Sequence, residues 1–419
     1  MPTKDTQSRS IYLILVVALV IRIAAALVWQ AQLGDEARFK LGDSDGYWQL
    51  GLKIANGEPY QYNSEHAKVF RTPGYPMLLG GFFSLWSDPP VVAVRILGAL
   101  LGTLSLWLLW HLARLLFDTR TAWFATWIAC FYPGAIAISI LVLAEALFVP
   151  LMLAQFLSTA VAFKSREWRP FLFYSFAAGL FFGVACLTRP SWLLFVPFGL
   201  LFGFVCFPQR KRQLVSGAVC LMMLVLVMLP WWIRNYQVTG KFVLTSLQTG
   251  TSLYDGWNPD ATGASDMEFA PRMKAEYLAE YRKNELGPER EFEYAFNERM
   301  KKRATEWAQQ NPGRVVELAW IKLKRIWNPI PNSTEIGSTS IRYAIAAYFL
   351  PLFVLAIWGT CRYRKDYIAI YICLVPAVYY TCLHMVFVGS IRYRQPPMMT
   401  FLILAAALLA HWSASKKTA

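Results

Sequence analysis

The chain of 419 residues is dominated by apolar runs long enough to cross a lipid bilayer, and this narrows its possible folds more than any other feature. A hydrocarbon core needs about 20 helical residues. Lipid offers the backbone no hydrogen-bond partners, so such runs are expected to be α-helices. They fall at 11–29, 91–117, 121–139, 140–163, 171–187, 191–207, 214–232, 342–359, 367–388 and 396–412. Hydrophobic residues make up 56% of the chain, above the roughly 45–50% of soluble domains. The expected fold class is all-α, a polytopic membrane protein of about ten spans.

The net charge of +15 does not imply a nucleic-acid partner, because the basic residues lie in short loops between spans. Lys and Arg collect on the cytoplasmic side of membrane proteins. Arg114 and Arg120, Lys164 to Arg169, Arg210 to Arg212, and Arg362 to Lys365 mark four such loops. With Lys4 and Arg9 at one end and Lys416 and Lys417 at the other, both termini are expected inside. The first run is read as an uncleaved anchor, since no small-residue cleavage site follows it. The seven cysteines lie in or beside the runs, with no metal-pair spacing, and are read as buried thiols.

Two segments are then expected outside, 30–90 and 233–341. The chain divides into a transmembrane module at 1–232, an external helical cap at 233–341 and C-terminal spans at 342–419. The apolar run 74–86 is short enough to be interfacial or re-entrant. In the cap, Phe292, Phe296, Met300 and Trp307 recur at helical spacing until Asn311-Pro312-Gly313. Val315, Ala319, Leu323 and Ile326 suggest a second helix lying flat on the membrane.

A few arginines break the basic-inside rule, and these carry the functional reading. Arg392 and Arg394 share one short outer turn, while Arg71 and Arg189 border other outer segments. Each is a candidate to grip a phosphate, since a guanidinium stabilises developing charge without losing its own. Anchoring at lipid headgroups is the plain alternative. Near the N-terminus, Gly42-Asp43-Ser44-Asp45-Gly46-Tyr47 opens a short amphipathic helix closed by Gly57. Asp43 or Ser44 can be read simply as its cap; a carboxylate outside the bilayer can also act as a general base. Glu145 lies just inside a span, where acids are costly and usually functional.

The run Asp43-Ser44, Tyr47, Leu50, Ile54-Ala55 and Gly57, followed by Arg71, Pro73-Gly74-Tyr75-Pro76, resembles the first external loop of GT-C glycosyltransferases. The likeness is to the branch of protein O-mannosyltransferases and bacterial aminoarabinose transferases. Leu143 to Leu147 around Glu145, Leu187 to Pro190, Pro230 to Tyr236, Trp257-Asn258-Pro259 and Arg392-Tyr393-Arg394 continue it in order. The resemblance implies a polyprenyl-phosphate-linked sugar as donor, a lipid, glycan or protein acceptor, and transfer outside a bacterial inner membrane. It implies Asp43 or Asp45 as catalytic residue, Arg71, Arg189, Arg392 and Arg394 as phosphate ligands, and Tyr47, Tyr75, Glu145 and Tyr393 as substrate contacts. No metal or other cofactor is expected, although the Asp43/Asp45 pair leaves a divalent cation as an alternative. A lipid-linked-sugar carrier and an O-antigen ligase or polymerase are the rival functions. A carrier favours matched broken helices in two halves, a symmetry the sequence does not display.

Overall fold

The computed structural model describes residues 4–33, 39–86, 88–206, 208–331 and 338–415. Lys416 and Lys417 lie outside the described residues, as do the side chains of Lys4 and Arg9. The regular elements among the described residues are all helices. Helix α1 (Lys4–Leu33) leads to two short helices, α2 (Gly42–Ala55) and α3 (Gly74–Phe83), which pack on each other beside the bundle. The 74–86 run is therefore not a straight span. Long helix α4 (Val91–Leu116) follows, and then α5 (Thr119–Phe131) and α6 (Pro133–Ile140), bent by 59° at Tyr132. Pro133 has no N–H to continue the ladder and forces Tyr132 into an extended conformation.

Helices α7 (Glu145–Lys164) and α8 (Trp168–Thr188) form a tight pair, succeeded by the shorter α9 (Phe195–Cys206) and by α10 (Arg210–Thr239). At 30 residues α10 reaches about 45 Å, longer than a hydrocarbon core of about 30 Å. It ends on Gly240 at φ +69°, a left-handed conformation suited to glycine. The cap comprises α11 (Thr249–Gly256), α12 (Phe269–Lys283), α13 (Phe292–Gln310) and α14 (Pro312–Trp327). Phe292, Phe296, Met300 and Ala304 form the buried face of α13, close to the expected stripe. On α14 the buried residues are Leu318, Lys322 and Ile326, so the face is turned from the expected one and centres on a lysine.

Helices α15 (Thr339–Tyr363), α16 (Tyr367–Cys373), α17 (Val375–Val386) and α18 (Ile391–Ser415) complete the bundle. Met398 to Ala407 on α18 are all buried, which makes this helix the bundle's centre. Gly359 of α15 meets it where a Cβ would lie 2.4 Å from the Leu404 carbonyl oxygen, the close approach that small residues permit between membrane helices.

Eight described helical segments are long and apolar enough to cross a membrane, α16 and α17 counting together as Tyr367–Val386, and the α5–α6 pair makes a ninth if it is one bent span. Residues 190–206 form only a shorter apolar helix. The 121–139 run thus bends at Pro133, and the 191–207 run holds only the short helix α9. All seven cysteines are free, but Cys361 and Cys382 are exposed and Cys206 is partly exposed rather than buried.

Candidate active site

The site forms where the first loop, the cap and the ends of α7, α8 and α17 converge. Asp43 lies in the first turn of α2, a position favourable for an acid. It does not cap the helix: Leu41 holds that position without a side-chain bond. Its carboxylate instead faces two arginines. Arg71 Nη2 lies 2.5 Å from Oδ1, and Arg392 Nη1 lies 2.7 Å from Oδ2.

Arg71 reaches the site from a loop held in place on both sides. Its Nη1 donates to Gln248 Oε1 at 3.0 Å, and its guanidinium lies over the rings of Tyr47 and Tyr62. Three residues on, Gly74 packs against the end of α8, where a Cβ would sit 2.7 Å from the Leu187 carbonyl oxygen. That contact brings the first loop beside Arg189.

Glu145 opens α7 and is completely buried. Arg392 grips it with Nε at 2.5 Å from Oε1 and Nη2 at 3.1 Å from Oε2, while Arg189 Nη1 pairs with Oε1 from the other side. The five side chains form one row: Arg71, Asp43, Arg392, Glu145, Arg189. Three guanidiniums against two carboxylates leave one positive charge. Burial alone raises the pKa of Asp43, but Arg71 and Arg392 outweigh it and hold the carboxyl well below the usual carboxylate range.

Tyr47 and Tyr75 meet edge to face at 5.3 Å beside this row, and Arg189 lies over the ring of Tyr393. Two expected residues are placed elsewhere. Asp45 is exposed on α2. Arg394, only 2% exposed, donates to the Ile326 and Asn328 carbonyl oxygens at 2.9 and 2.7 Å and lies over Phe349. Arg392 and Arg394 are two positions apart on a helix, so their side chains leave it about 200° apart.

Two neighbours escaped the sequence reading. His384 stacks on Tyr393 at 4.0 Å and donates through Nδ1 to the Val388 carbonyl oxygen, and Gln248 holds Arg71. His384 follows Tyr380 by one helical turn, a spacing that would have placed both on one face.

The donor set does not fit a divalent cation. Both Asp43 oxygens and both Glu145 oxygens are engaged by guanidiniums, and Asp45 is not in the row. Among the described residues no group of three or more His, Cys, Asp or Glu is placed to hold a metal ion.

A sequence family described as dolichyl-phosphate-mannose-protein mannosyltransferase matches residues 70–233. That stretch contains Arg71, Glu145 and Arg189. Comparison with curated proteins returns no match. Among solved structures, the apo oligosaccharyltransferase of Archaeoglobus fulgidus aligns at TM-score 0.59 and 16% identity, over 97% of this chain and 52% of that one. AglB from the same organism, bound to an inhibitory peptide and a dolichol-phosphate, gives 0.57 and 15% over 97% and 52%. ArnT from Cupriavidus metallidurans bound to undecaprenyl phosphate gives 0.45 and 16% over 95% and 78%. The chain thus spans about half the length of the archaeal structures. It shares the fold of the archaeal oligosaccharyltransferase structures, and its residues 70–233 resemble the mannosyltransferase family, in line with the resemblance that the order of its motifs carries.

Proposed function

We propose that this protein transfers a sugar from a polyprenyl-phosphate donor to an acceptor on the outer side of the membrane, inverting the anomeric centre. The observation that carries the reading is the row of three arginines and two carboxylates at the mouth of an apolar helical bundle. Its surplus positive charge matches the single negative charge of a phosphodiester. The matched family's description names a dolichyl-phosphate-linked sugar, and AglB has been solved with a dolichol-phosphate.

Asp43 serves as the base. It takes the acceptor's proton as that oxygen or nitrogen attacks the anomeric carbon, and the lipid phosphate departs on the opposite face. One base suffices for a single displacement, whereas a retaining pathway requires a close carboxylate pair in separate roles. Arg392 and Arg71 stabilise the charge that grows on the leaving phosphate. In the unliganded row both Asp43 oxygens are occupied and its basicity is low. Phosphate docking shares those guanidiniums with a second anion and so returns an oxygen to Asp43. Glu145, held by Arg189 and Arg392, aligns the arginines and leaves the chemistry to Asp43.

The test supplies purified protein in lipid nanodiscs with polyprenyl-phosphate-linked sugars and candidate acceptors, and follows products by mass spectrometry and the anomeric configuration by NMR. Transfer with inversion that Asp43→Asn abolishes supports the reading. Retention, or movement of intact lipid-linked sugar across the membrane without transfer, overturns it. The surface glycan missing from a deletion strain identifies the sugar.

A further inference from the structure

Two ionisable residues of the cap are buried away from the arginine row, yet each holds a segment that carries one of its arginines. Glu293 on α13 accepts the backbone N–H groups of Lys68 at 2.8 Å and Val69 at 3.0 Å, just ahead of Arg71. Lys322 on α14 is fully buried and donates to the carbonyl oxygens of Gly256 at 2.9 Å and Val386 at 2.8 Å. Val386 ends α17, and the turn that follows leads directly into the first turn of α18, which carries Arg392. Gly389 in that turn lies so close to α14 that a Cβ would sit 2.7 Å from the Lys322 carbonyl oxygen, and its N–H donates to Gly263. Arg325 Nε donates to the Gly389 carbonyl oxygen at 3.2 Å.

One short helix connects the two ties. Gln248, the partner of Arg71, precedes α11, and Gly256, the partner of Lys322, ends it. Eight residues make a rod of about 12 Å. The rod is seated on α13: Gly250 N donates to Asn297 Oδ1 at 2.8 Å, and a Cβ there would collide with the Asn297 carbonyl oxygen. Asp255 closes the following loop by accepting Ser265 Oγ at 2.7 Å and the Asp266 N–H at 2.9 Å.

A buried ionisable group is costly unless it is well bonded, and an apolar side chain would fill either place with less penalty. What Glu293 and Lys322 add is a hold on main-chain groups that carry the arginines. We propose that Glu293 and Lys322 are positioning residues that fix the separation of Arg71 and Arg392, with α11 as the rigid spacer between them. On the function proposed above, this separation sets the grip on the donor phosphate. The cap then acts as a gauge for the anion site as well as a cover.

The test has two arms. Hydrogen exchange in nanodiscs reads the positioning whatever the chemistry: Glu293→Gln should speed exchange in 66–73 and leave 386–394 unchanged, and Lys322→Met should do the reverse. Glu293→Asp and Lys322→Arg serve if the first variants fold poorly. An even rise in both segments, or none in either, overturns the proposal. In the transfer assay each single variant should raise the donor KM about tenfold, and this effect should shrink below about twofold in the matching Arg71→Lys or Arg392→Lys background. The crossed pairs, Glu293 with Arg392 and Lys322 with Arg71, should multiply. Multiplication in all four pairs overturns the positioning role while leaving glycosyl transfer intact. A wild-type protein that transfers no sugar removes the functional reading, and the exchange arm still decides the gauge.

Discussion

Arg392 holds Asp43 and Glu145 on a single guanidinium, with Nη1 on one carboxylate and Nε and Nη2 on the other. Asp43 is 349 residues away in sequence and Glu145 is 247. The first loop, the start of α7 and the start of α18 are therefore fixed by one side chain. Only a planar group with several fixed donors can satisfy both partners at once.

Arg392→Lys is accordingly expected to fail despite keeping its charge. A lysine can reach one carboxylate but cannot hold both in place. Turnover should fall by about two orders of magnitude, as for loss of a preorganised donor in a transition state. Donor-concentration kinetics on purified protein check this, and wild-type values would return Arg392 to a structural role.

Asp43→Asn keeps the size of the side chain and removes its basicity. Turnover should drop at least about 100-fold, and the freed guanidiniums should bind the donor phosphate no more weakly than before. Asp45→Asn, at an exposed position, should remain near wild type. The decisive comparison is kcat for both variants beside binding of undecaprenyl phosphate; an inactive Asp45→Asn with an active Asp43→Asn would reassign the base.

Arg394 illustrates what a linear motif conceals. The sequence places it beside Arg392 in one outer turn, but its guanidinium closes the end of α14 by donating to the carbonyls of Ile326 and Asn328. Arg394→Met should leave those buried carbonyls short of a donor and lower stability by about 1–3 kcal/mol. Donor KM per folded molecule should change little. A thermal-unfolding midpoint equal to wild type, together with a raised donor KM, would restore Arg394 to the phosphate site.

The apolar runs and alternating basic loops made the helical bundle legible, because bilayer length and charge leave a direct mark on sequence. Asp43, Arg71, Glu145, Arg189 and Arg392 were legible as candidates because charges beside spans are conspicuous. Their assembly into one row was not, since it depends on how α2, α7 and α18 pack. The bend at Pro133 was hidden in unbroken hydropathy. The rotation of α14 was hidden too, because a period reading treats Lys322 as solvated and cannot see the carbonyls of Gly256 and Val386 that receive it.

Membrane sidedness has its own prediction. In a background lacking the exposed Cys361 and Cys382, single cysteines at Ser265 and Ser338 should react with an impermeant maleimide in intact cells. One at Ser165, beside the basic loop 164–169, should react only after permeabilisation. Labelling of Ser165 from outside would invert the order of spans.

Glu293 is expected to make the stability of the folded protein depend on pH. Burial pushes its carboxyl up to about 7, against the amide donors of Val69 and Lys68 and the charges of Lys274 and Arg234. In an unfolded chain the same group titrates near ~4.3. The folded protein therefore holds this proton more tightly, and the resulting stabilisation is complete below about 4.3 and declines as pH rises through about 7. Glu293→Gln cannot titrate and lacks this dependence. The stability of wild type relative to Glu293→Gln should thus fall between pH 5 and pH 8, by at most ~3 kcal/mol. Thermal unfolding of both proteins in the same detergent at several pH values measures the difference. Parallel curves, or a wild type that gains on the variant as pH rises, would mean that Glu293 is already ionised in the folded cap and that its two amide bonds outweigh its burial.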